Sequence, residues 1–383
     1  MHLHNNGTAY YGNYPAVKSL LIQGGIRHIR DGMIDTTWQP YYDRLNDLGT
    51  NGIHSTLVTS VSQSMSFITA YPSRVSNSIE AIEAPNEYDR SGDGQWAATL
   101  RAFVRNLYPS VRSAPATAGL PVIGPSLTSG DAYAQLGNLS AYMDFGNMHD
   151  YFAGFAPGNG GYGGPGYGSY YGSIAYNQGA AAQTSGPKAV VATETGYSTT
   201  PNTRNAVPEA IQFKYVPRMF FEQFLHGVPR TFEYELIDEG YSPGEHLGLV
   251  RGDLTPKPAY TALASLLNLL AEPADIASSA LSFSISGSTQ NLHHLLMHKA
   301  DGSFYLAYWL ETSSFDVNAG SSGVPTTVAP QTIAVTFGQL VADVKNYAYD
   351  AQGNFHAAAI TPASNRISLS ATDTVSIVSL VSR

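Results

Sequence analysis

Apolar runs of strand length alternate with helix-length segments from the first residue to about residue 270. Eight such strand–helix units can be counted, and repeated units of this kind build a parallel sheet. The pattern therefore predicts an α/β fold, a (β/α)8 barrel. The predicted strands are residues 1–4, 26–30, 52–59, 78–86, 121–125, 143–149, 188–194 and 228–235. The predicted helices include residues 15–23, 40–48, 64–70, 94–108, 210–226 and 258–270.

The pattern changes after residue 272, where short β-branched runs are separated by Gly, Asn, Asp and Ser clusters. Runs of this kind, such as residues 304–309, 332–337 and 374–381, are typical of an antiparallel β-sandwich. We therefore predict a barrel over residues 1–272 and a C-terminal antiparallel β-sandwich domain over residues 273–383. A segment rich in Ser, Gly, Pro and Thr, residues 317–331, predicts a long hairpin loop.

A glycine-rich stretch, residues 154–172, follows the sixth predicted strand. A disordered linker is one interpretation, because ordering glycine costs the most backbone entropy. Its position after a barrel strand favours a second interpretation, in which the stretch is a mobile wall of a binding cleft and offers aromatic rings to a ligand. The tyrosines that would do so are Tyr162, Tyr167, Tyr170 and Tyr171.

The composition of the chain argues against two classes of binding partner, nucleic acid and the membrane. The chain has 383 residues, a formal charge of −9 and 13% charged residues, so no basic surface for nucleic acid is expected. No segment approaches the ~18 consecutive apolar residues of a membrane span.

The absence of cysteine excludes disulfides and thiolate metal sites and leaves the redox compartment open. No basic-then-apolar leader precedes the first strand, so a cytosolic protein is possible. We expect a secreted or periplasmic monomer whose leader is not in this chain.

Two glutamates lie at the C-terminal tips of predicted strands: Glu87 ends the fourth strand and Glu194 ends the seventh. Barrel enzymes carry their catalytic residues at these tips, and retaining glycosidases use two carboxyl groups about 5–5.5 Å apart. We assign Glu87 as the general acid/base and Glu194 as the nucleophile. Asn86 precedes the acid and can hydrogen-bond a sugar 2-hydroxyl.

These residues resemble those of the clan-A retaining glycoside hydrolases, a group that includes cellulase-like and xylosidase-like enzymes. The stretch Thr-Pro-Lys-Pro-Ala-Tyr at residues 255–260 also resembles theirs. The resemblance implies double displacement on an oligo- or polysaccharide, without a cofactor or a metal. It further implies that Arg30 lies near the nucleophile, that Tyr151 hydrogen-bonds the nucleophile and that His149 lines the site near the acid.

One position departs from that family, which usually has a Trp at the end of the eighth strand. Here Tyr234 or Glu235 must take its place as a substrate-binding residue. Long loops after strands four and six favour endo action on an open cleft. The preference for a β-glucan-like substrate comes from the resemblance rather than from a residue.

Two other functions stay open. His2 and His4 form a His-x-His pair on the first predicted strand, the arrangement by which metal-dependent barrel hydrolases hold a divalent ion. That class also needs ligands on strands four, five and six, and the fifth strand offers no histidine. A non-catalytic carbohydrate-binding barrel would keep the aromatic cleft and lose a carboxylate, whereas both carboxylates are present here.

Overall fold

The parallel strands of the N-terminal half form most of a barrel. The computed structural model describes residues 1–164, 168–239, 246–272 and 279–382. Within these ranges the parallel strands are β1 (His28–Gly32), β2 (His54–Val58), β3 (Ile79–Glu83), β4 (Val122–Ile123), β5 (Gly146–Tyr151), β6 (Val190–Gly196) and β7 (Thr231–Glu233).

Two parallel sheets share these strands, in the orders β1-β2-β3-β4 and β5-β6-β7. A parallel bridge from Ile123 to Phe145 joins them into one arc. Because all seven strands run in the same direction, their carboxyl ends meet at one face, which is where barrel enzymes place their sites. The fold confirms the predicted barrel architecture.

Helices alternate with the strands and cover the arc. They are α1 (Ala9–Gly12), α2 (Tyr14–Gln23), α3 (Gln39–Thr50), α4 (Met65–Ala70), α5 (Trp96–Ser113), α6 (Gly130–Leu136), α7 (Ile174–Ser185), α8 (Glu209–Leu225) and α9 (Pro258–Leu270). Helix α5 shows why they dock: Leu100, Phe103, Val104 and Leu107 are buried at helical spacing on one face. No helix within the described ranges is long and apolar enough to cross a membrane.

The prediction of a first strand at residues 1–4 was wrong. The segment lies against β1, where the Met1 amino group donates to the carbonyl of Arg30 at 2.6 Å. The next ladder bond is missing, because the Leu3 amide donates to the Asp31 carboxylate instead of to a backbone carbonyl. A strand requires repeated backbone pairing, so this segment stays irregular.

A cavity of about 800 Å³ lies inside the barrel between β1 and the chain that follows β7. It reaches Asn86 and Glu194 at the carboxyl face and the apolar side chains of Leu21 and Leu263 on α2 and α9. The barrel therefore offers a concave space that begins beside one of the two predicted catalytic carboxylates.

The C-terminal part consists of antiparallel sheets, as predicted. Its strands are β8 (Phe283–Gly287), β9 (Leu292–His298), β10 (Ser303–Leu310), β11 (Phe315–Asp316), β12 (Val324–Pro325), β13 (Gln331–Phe337), β14 (Val341–Tyr349), β15 (Phe355–Ala359), β16 (Arg366–Ala371) and β17 (Ser376–Ser382). Five strands pair in the order β15-β14-β17-β10-β9 and three in the order β16-β13-β8. The side chains of Ile333, Val335 and Phe337 alternate into the shared core.

Two details of this region differ from the prediction or lie beyond it. The segment 317–331 is not an uninterrupted loop, because β12 lies within it and pairs with β11. The predicted domain boundary falls beside residues 273–278, which lie outside the described residues. The 272/273 boundary therefore stays a prediction.

Candidate active site

Glu87 and Glu194 extend from the carboxyl ends of β3 and β6. Strand β3 corresponds to the predicted fourth strand and β6 to the predicted seventh. The numbers differ by one because residues 1–4, predicted as the first strand, do not form one. Strand β3 ends at Glu83, three residues before Asn86, and Pro85 lies between them with no N–H to donate to a ladder. Glu87 itself has a left-handed backbone, with φ of 39°, and its amide donates to the carbonyl of Ser126. Backbone of this kind is found at functional sites, where surrounding contacts hold it.

The two carboxyl groups lie close together. An oxygen of Glu87, an oxygen of Glu194 and a ring nitrogen of His149 are all within 4.8 Å of one another. The Nδ1 of His149 is 2.7 Å from Glu87 and 3.5 Å from Glu194. The His149 side chain is only 2% exposed, so its ring is held in place and can orient the carboxyl group of Glu87. The structure thus brings together three predicted site residues.

Arg30 connects Glu194 to the rest of the site. Its Nη1 donates to Glu194 at 2.7 Å, and its Nη2 donates to the Oδ1 of Asn86 at 2.6 Å. Its Nε and Nη2 also hold both oxygens of Glu83, at 2.7 and 2.8 Å. Such a two-pronged pair fixes the plane of the guanidinium, and with it the position of the Glu194 carboxylate.

Glu83 was missed by the sequence analysis. It is fully buried, and besides Arg30 it accepts hydrogen bonds from Asn147 at 3.0 Å and Thr193 at 3.2 Å. A signal was present, because an acidic residue within an apolar strand needs a buried cationic partner. The partner lies two strands away, on β1, and a single sequence does not reveal that pairing.

The surroundings of Glu194 keep it ionised. Burial by itself would raise its pKa, but the charges of His149 and Arg30 and hydrogen bonds from Tyr151 and Arg30 hold the pKa at about 2. The hydroxyl of Tyr151 donates to the second oxygen of Glu194 at 2.9 Å. A carboxylate that stays charged at every physiological pH is suited to be a nucleophile rather than an acid.

Replacing Tyr151 with Phe should raise the pKa of Glu194, because one of the hydrogen bonds that lower it is removed. The acidic limb of kcat/KM should then move to higher pH, since Glu194 must be deprotonated to act. The profile between about pH 2 and 7, measured on an activated aryl glycoside, tests this. Tyr133→Phe, which removes a buried tyrosine hydroxyl that donates to the carbonyl of Asn147, is the control and should leave the limb in place. An unchanged limb in Tyr151→Phe would show that this hydroxyl does not tune Glu194.

Tyr234 and Glu235 follow β7 and line the cavity together with Glu194. Glu235 is 6% exposed, and burial together with the negative charge of Glu239 raises its pKa to about 8. The hydroxyl of the buried Tyr10 lies 3.4 Å from it. Both residues thus line the cavity beside Glu194, and their role in substrate binding stays a prediction.

The metal-dependent hydrolase hypothesis finds little support in this geometry. His149 lies with Glu87 and Glu194, whereas His2 lies with Glu235 and Glu239. His4 instead faces Asp31, 3.6 Å away. Within the described ranges, His2, His4 and His149 therefore do not form the single ligand set that this class requires.

The glycine-rich loop packs against the site and against the C-terminal domain. The ring of Tyr162 stacks on Phe155, with centroids 5.2 Å apart, and its hydroxyl donates to the carbonyl of Tyr151. A Cβ at Gly154 would lie 2.6 Å from Val317, so only glycine permits this approach. Tyr170 is 62% exposed. Tyr167 lies outside the described residues.

No family model and no curated protein matches the chain. Among solved structures, an α-L-arabinofuranosidase from Thermotoga maritima in complex with arabinose is similar with a TM-score of 0.63. The identity is 9%, and the match covers 99% of this chain and 92% of that one.

Two further matches have TM-scores of 0.49. A GH5_18 variant from Bifidobacterium longum in complex with Manβ1-4GlcNAc is 14% identical over 68% of this chain and 74% of that one. A β-glucuronidase from Parabacteroides merdae is 11% identical over 99% of this chain, which spans only 58% of the length of that enzyme. The structural neighbours are glycoside hydrolases, and at 9% identity the similarity to the arabinofuranosidase shows a shared fold alone.

Proposed function

We propose that the protein is a retaining glycoside hydrolase that cleaves a β-linked glycan by double displacement. The observation that carries the proposal is the pair formed by Glu87 and Glu194, whose oxygens approach within 4.8 Å at the carboxyl face of the barrel. Retaining glycosidases need about 5–5.5 Å between the carboxyl groups, whereas inverting enzymes need about 6.5–9.5 Å to admit a water.

In the first step, the Glu194 carboxylate attacks the anomeric carbon while Glu87 donates a proton to the departing glycosidic oxygen. Arg30 and Tyr151 hold the two oxygens of Glu194, at 2.7 and 2.9 Å, so the nucleophile meets the sugar in one orientation. The products of this step are a glycosyl ester on Glu194 and a shortened glycan with a free hydroxyl.

In the second step, Glu87 takes a proton from water, and that water attacks the anomeric carbon from the face the leaving group vacated. The bond between the anomeric carbon and Glu194 breaks, which frees the Glu194 carboxylate, releases the sugar with retained configuration and leaves Glu87 protonated for the next cycle. His149, at 2.7 Å from Glu87, orients this carboxyl group in both steps. The Oδ1 of Asn86 accepts hydrogen bonds from Arg30 and Ser126. Because these bonds fix the orientation of the amide, its Nδ2 is the atom available to donate to a sugar 2-hydroxyl.

The substrate we propose is a β-glucan-like polysaccharide attacked within the chain. An exposed Tyr170 on the loop beside the site, and a cavity that begins at Asn86 and Glu194, support a long binding cleft. Tyr234 and Glu235 are placed to contact hydroxyls of the sugar bound at the nucleophile. A polymeric substrate fits a secreted or periplasmic site of action, and we extend the proposal to that location.

The test is the anomeric configuration of the first product. The protein is incubated with β-glucans, mannan, galactan and xylan, and proton NMR follows the first reducing end released from the substrate that is cleaved. The β anomer should form first and then mutarotate. Initial release of the α anomer would show that the reaction proceeds with inversion and would contradict the double-displacement mechanism. If no glycan is cleaved and one still binds, the non-catalytic carbohydrate-binding barrel would be the better function.

Replacing Tyr170 with Ala should weaken binding of long substrates more than short ones, because only distal sugars would stack on this ring. We expect KM for a hexasaccharide to rise about 2- to 10-fold, the range of an aromatic stacking contribution, with KM for a disaccharide unchanged. Phe224→Ala on α8, where the ring is 58% exposed, is the matched control and should change neither value. Equal losses for both substrates would place Tyr170 at the central site, and no loss would make the loop a spacer.

A further inference from the structure

A second group of potential ligands lies where the N-terminal segment meets the chain after β7. One ring nitrogen of His2 and one carboxylate oxygen each of Glu235 and Glu239 are all within 4.8 Å of one another. His2 Nδ1 and Glu239 Oε2 lie 2.6 Å apart. This group does not include Glu87 or Glu194, so it is distinct from the catalytic pair.

Burial makes the two carboxylates of this group unusual. Glu235 is 6% exposed, and the side chain of Glu239 is 2% exposed. The Oε1 of Glu239 is buried without any hydrogen-bond partner within the described residues. A buried carboxylate oxygen without a partner costs free energy, and two adjacent carboxylates add repulsion. A cation among them would remove both costs.

An ion can reach this group from solvent. His2 and Glu235 both line the 800 Å³ cavity, and the His2 side chain is 28% exposed. The cavity thus supplies an access route and space for the water molecules that would complete the coordination of an ion.

The geometry points to a binding site for a divalent transition-metal ion, Zn²⁺ or Mn²⁺, with His2, Glu235 and Glu239 as its ligands. One imidazole with two carboxylates suits these ions, whereas Ca²⁺ and Mg²⁺ prefer ligand sets made of oxygen alone. Bonds of roughly 2.0–2.2 Å place two ligands of one ion about 3.0–3.5 Å apart, so His2 and Glu239, now 2.6 Å apart, would separate slightly to admit the ion. The ion would tie the N-terminal segment to the chain after β7, and among the described residues no strand ladder joins β7 to β1.

The test uses the full chain after treatment with EDTA and removal of the chelator. Isothermal titration with ZnCl2 and with MnCl2 should show one ion bound per chain, and bound ion should raise the melting temperature by a few degrees. Glu239→Gln should weaken binding by at least about tenfold, because it removes one of three protein ligands. Glu80→Gln is the matched control: Glu80 also accepts from a histidine, His28 at 2.7 Å, and its loss should leave the affinity unchanged.

Two further measurements keep the result decisive. Should Glu239→Gln fail to fold, Glu235→Gln provides the same comparison. Independently of the variants, Co²⁺ added to the wild-type chain should give the visible absorption of a protein-coordinated ion. Glu194→Gln separates the two groups of ligands, because an ion bound by Glu87, His149 and Glu194 would be lost in that variant alone. That result would overturn the inference, and so would the absence of Zn²⁺ and Mn²⁺ binding up to about 1 mM.

Discussion

Replacing Glu194 with Gln should abolish turnover of every substrate, including activated aryl glycosides. The amide has the shape of the carboxylate but cannot form the glycosyl ester, so the first step is lost. We expect kcat to fall by about 10⁴-fold or more, as is found when a covalent nucleophile is removed. Steady-state rates on a polysaccharide and on a dinitrophenyl glycoside, with unfolding curves to show that the variant folds, measure the effect.

Glu87→Gln should fail in a different way. A dinitrophenolate leaving group needs no proton, so the first step should survive on that substrate while turnover of the polysaccharide is lost. A burst of dinitrophenol followed by a slow steady rate is the expected signature, because the second step still needs a base.

Azide distinguishes the two roles. In Glu87→Ala, azide can attack the glycosyl ester and should give a β-glycosyl azide, the retained product. In Glu194→Ala, azide can only replace the missing nucleophile and should give the inverted product. A retained azide from the Glu194 variant and an inverted one from the Glu87 variant would exchange the two assignments.

The periodicity of the sequence was sufficient for the architecture because each barrel unit carries its signal locally. Helix α9 begins and ends at the predicted residues, Pro258 and Leu270, where proline at the first helical position and a one-sided apolar face mark the helix. Segment 1–4 shows the limit. Its composition suits a strand, but strand formation depends on a partner ladder, and the carboxylate of Asp31 takes the Leu3 amide.

The candidate site also contains residues whose positions the sequence predicts and residues whose importance it does not reveal. Glu87 and Glu194 could be placed because they end apolar runs, and a parallel barrel brings strand ends together. Glu83 and Glu239 could not, because their importance depends on which side chain they meet, two strands away or across the barrel opening. The positions of side chains at strand tips follow from the sequence pattern, whereas the buried residues that orient them require the coordinates.

Replacing Arg30 with Met should damage both stability and catalysis. Arg30 is 12% exposed and is the cation between Glu83, which is fully buried, and Glu194. Removing one member of a buried ion pair costs ~3–5 kcal/mol, because the remaining charge is left without compensation. The same loss leaves Glu194 without one of its two fixing contacts, and we expect kcat/KM to fall by about 10²- to 10³-fold. Chemical denaturation and steady-state kinetics measure the two effects.

The pKa of Glu194 determines how the stability difference between the wild type and Arg30→Met changes with pH. The pKa of Glu194 is about 2 in the folded protein, below the ordinary 4.5, so its ionised form stabilises the fold above about pH 4.5. That contribution is lost as the pH falls towards 2. Without Arg30 the pKa of Glu194 rises and the contribution shrinks. The stability difference between the wild type and Arg30→Met should therefore be largest at neutral pH and should narrow between about pH 4.5 and 2.

Arg251→Met is the matched control for Arg30→Met. Arg251 also holds both oxygens of a glutamate, Glu209, but its side chain is 40% exposed. Solvent screens such a pair, so its loss should cost less than about 1 kcal/mol at any pH and leave kcat/KM unchanged. Arg30→Lys would keep the charge without the two-pronged geometry; it should recover stability more than activity, because a point charge cannot orient Glu83, Asn86 and Glu194 together. Full recovery of kcat/KM in Arg30→Lys would show that charge alone matters and that the fixed plane of Arg30 does not position the nucleophile.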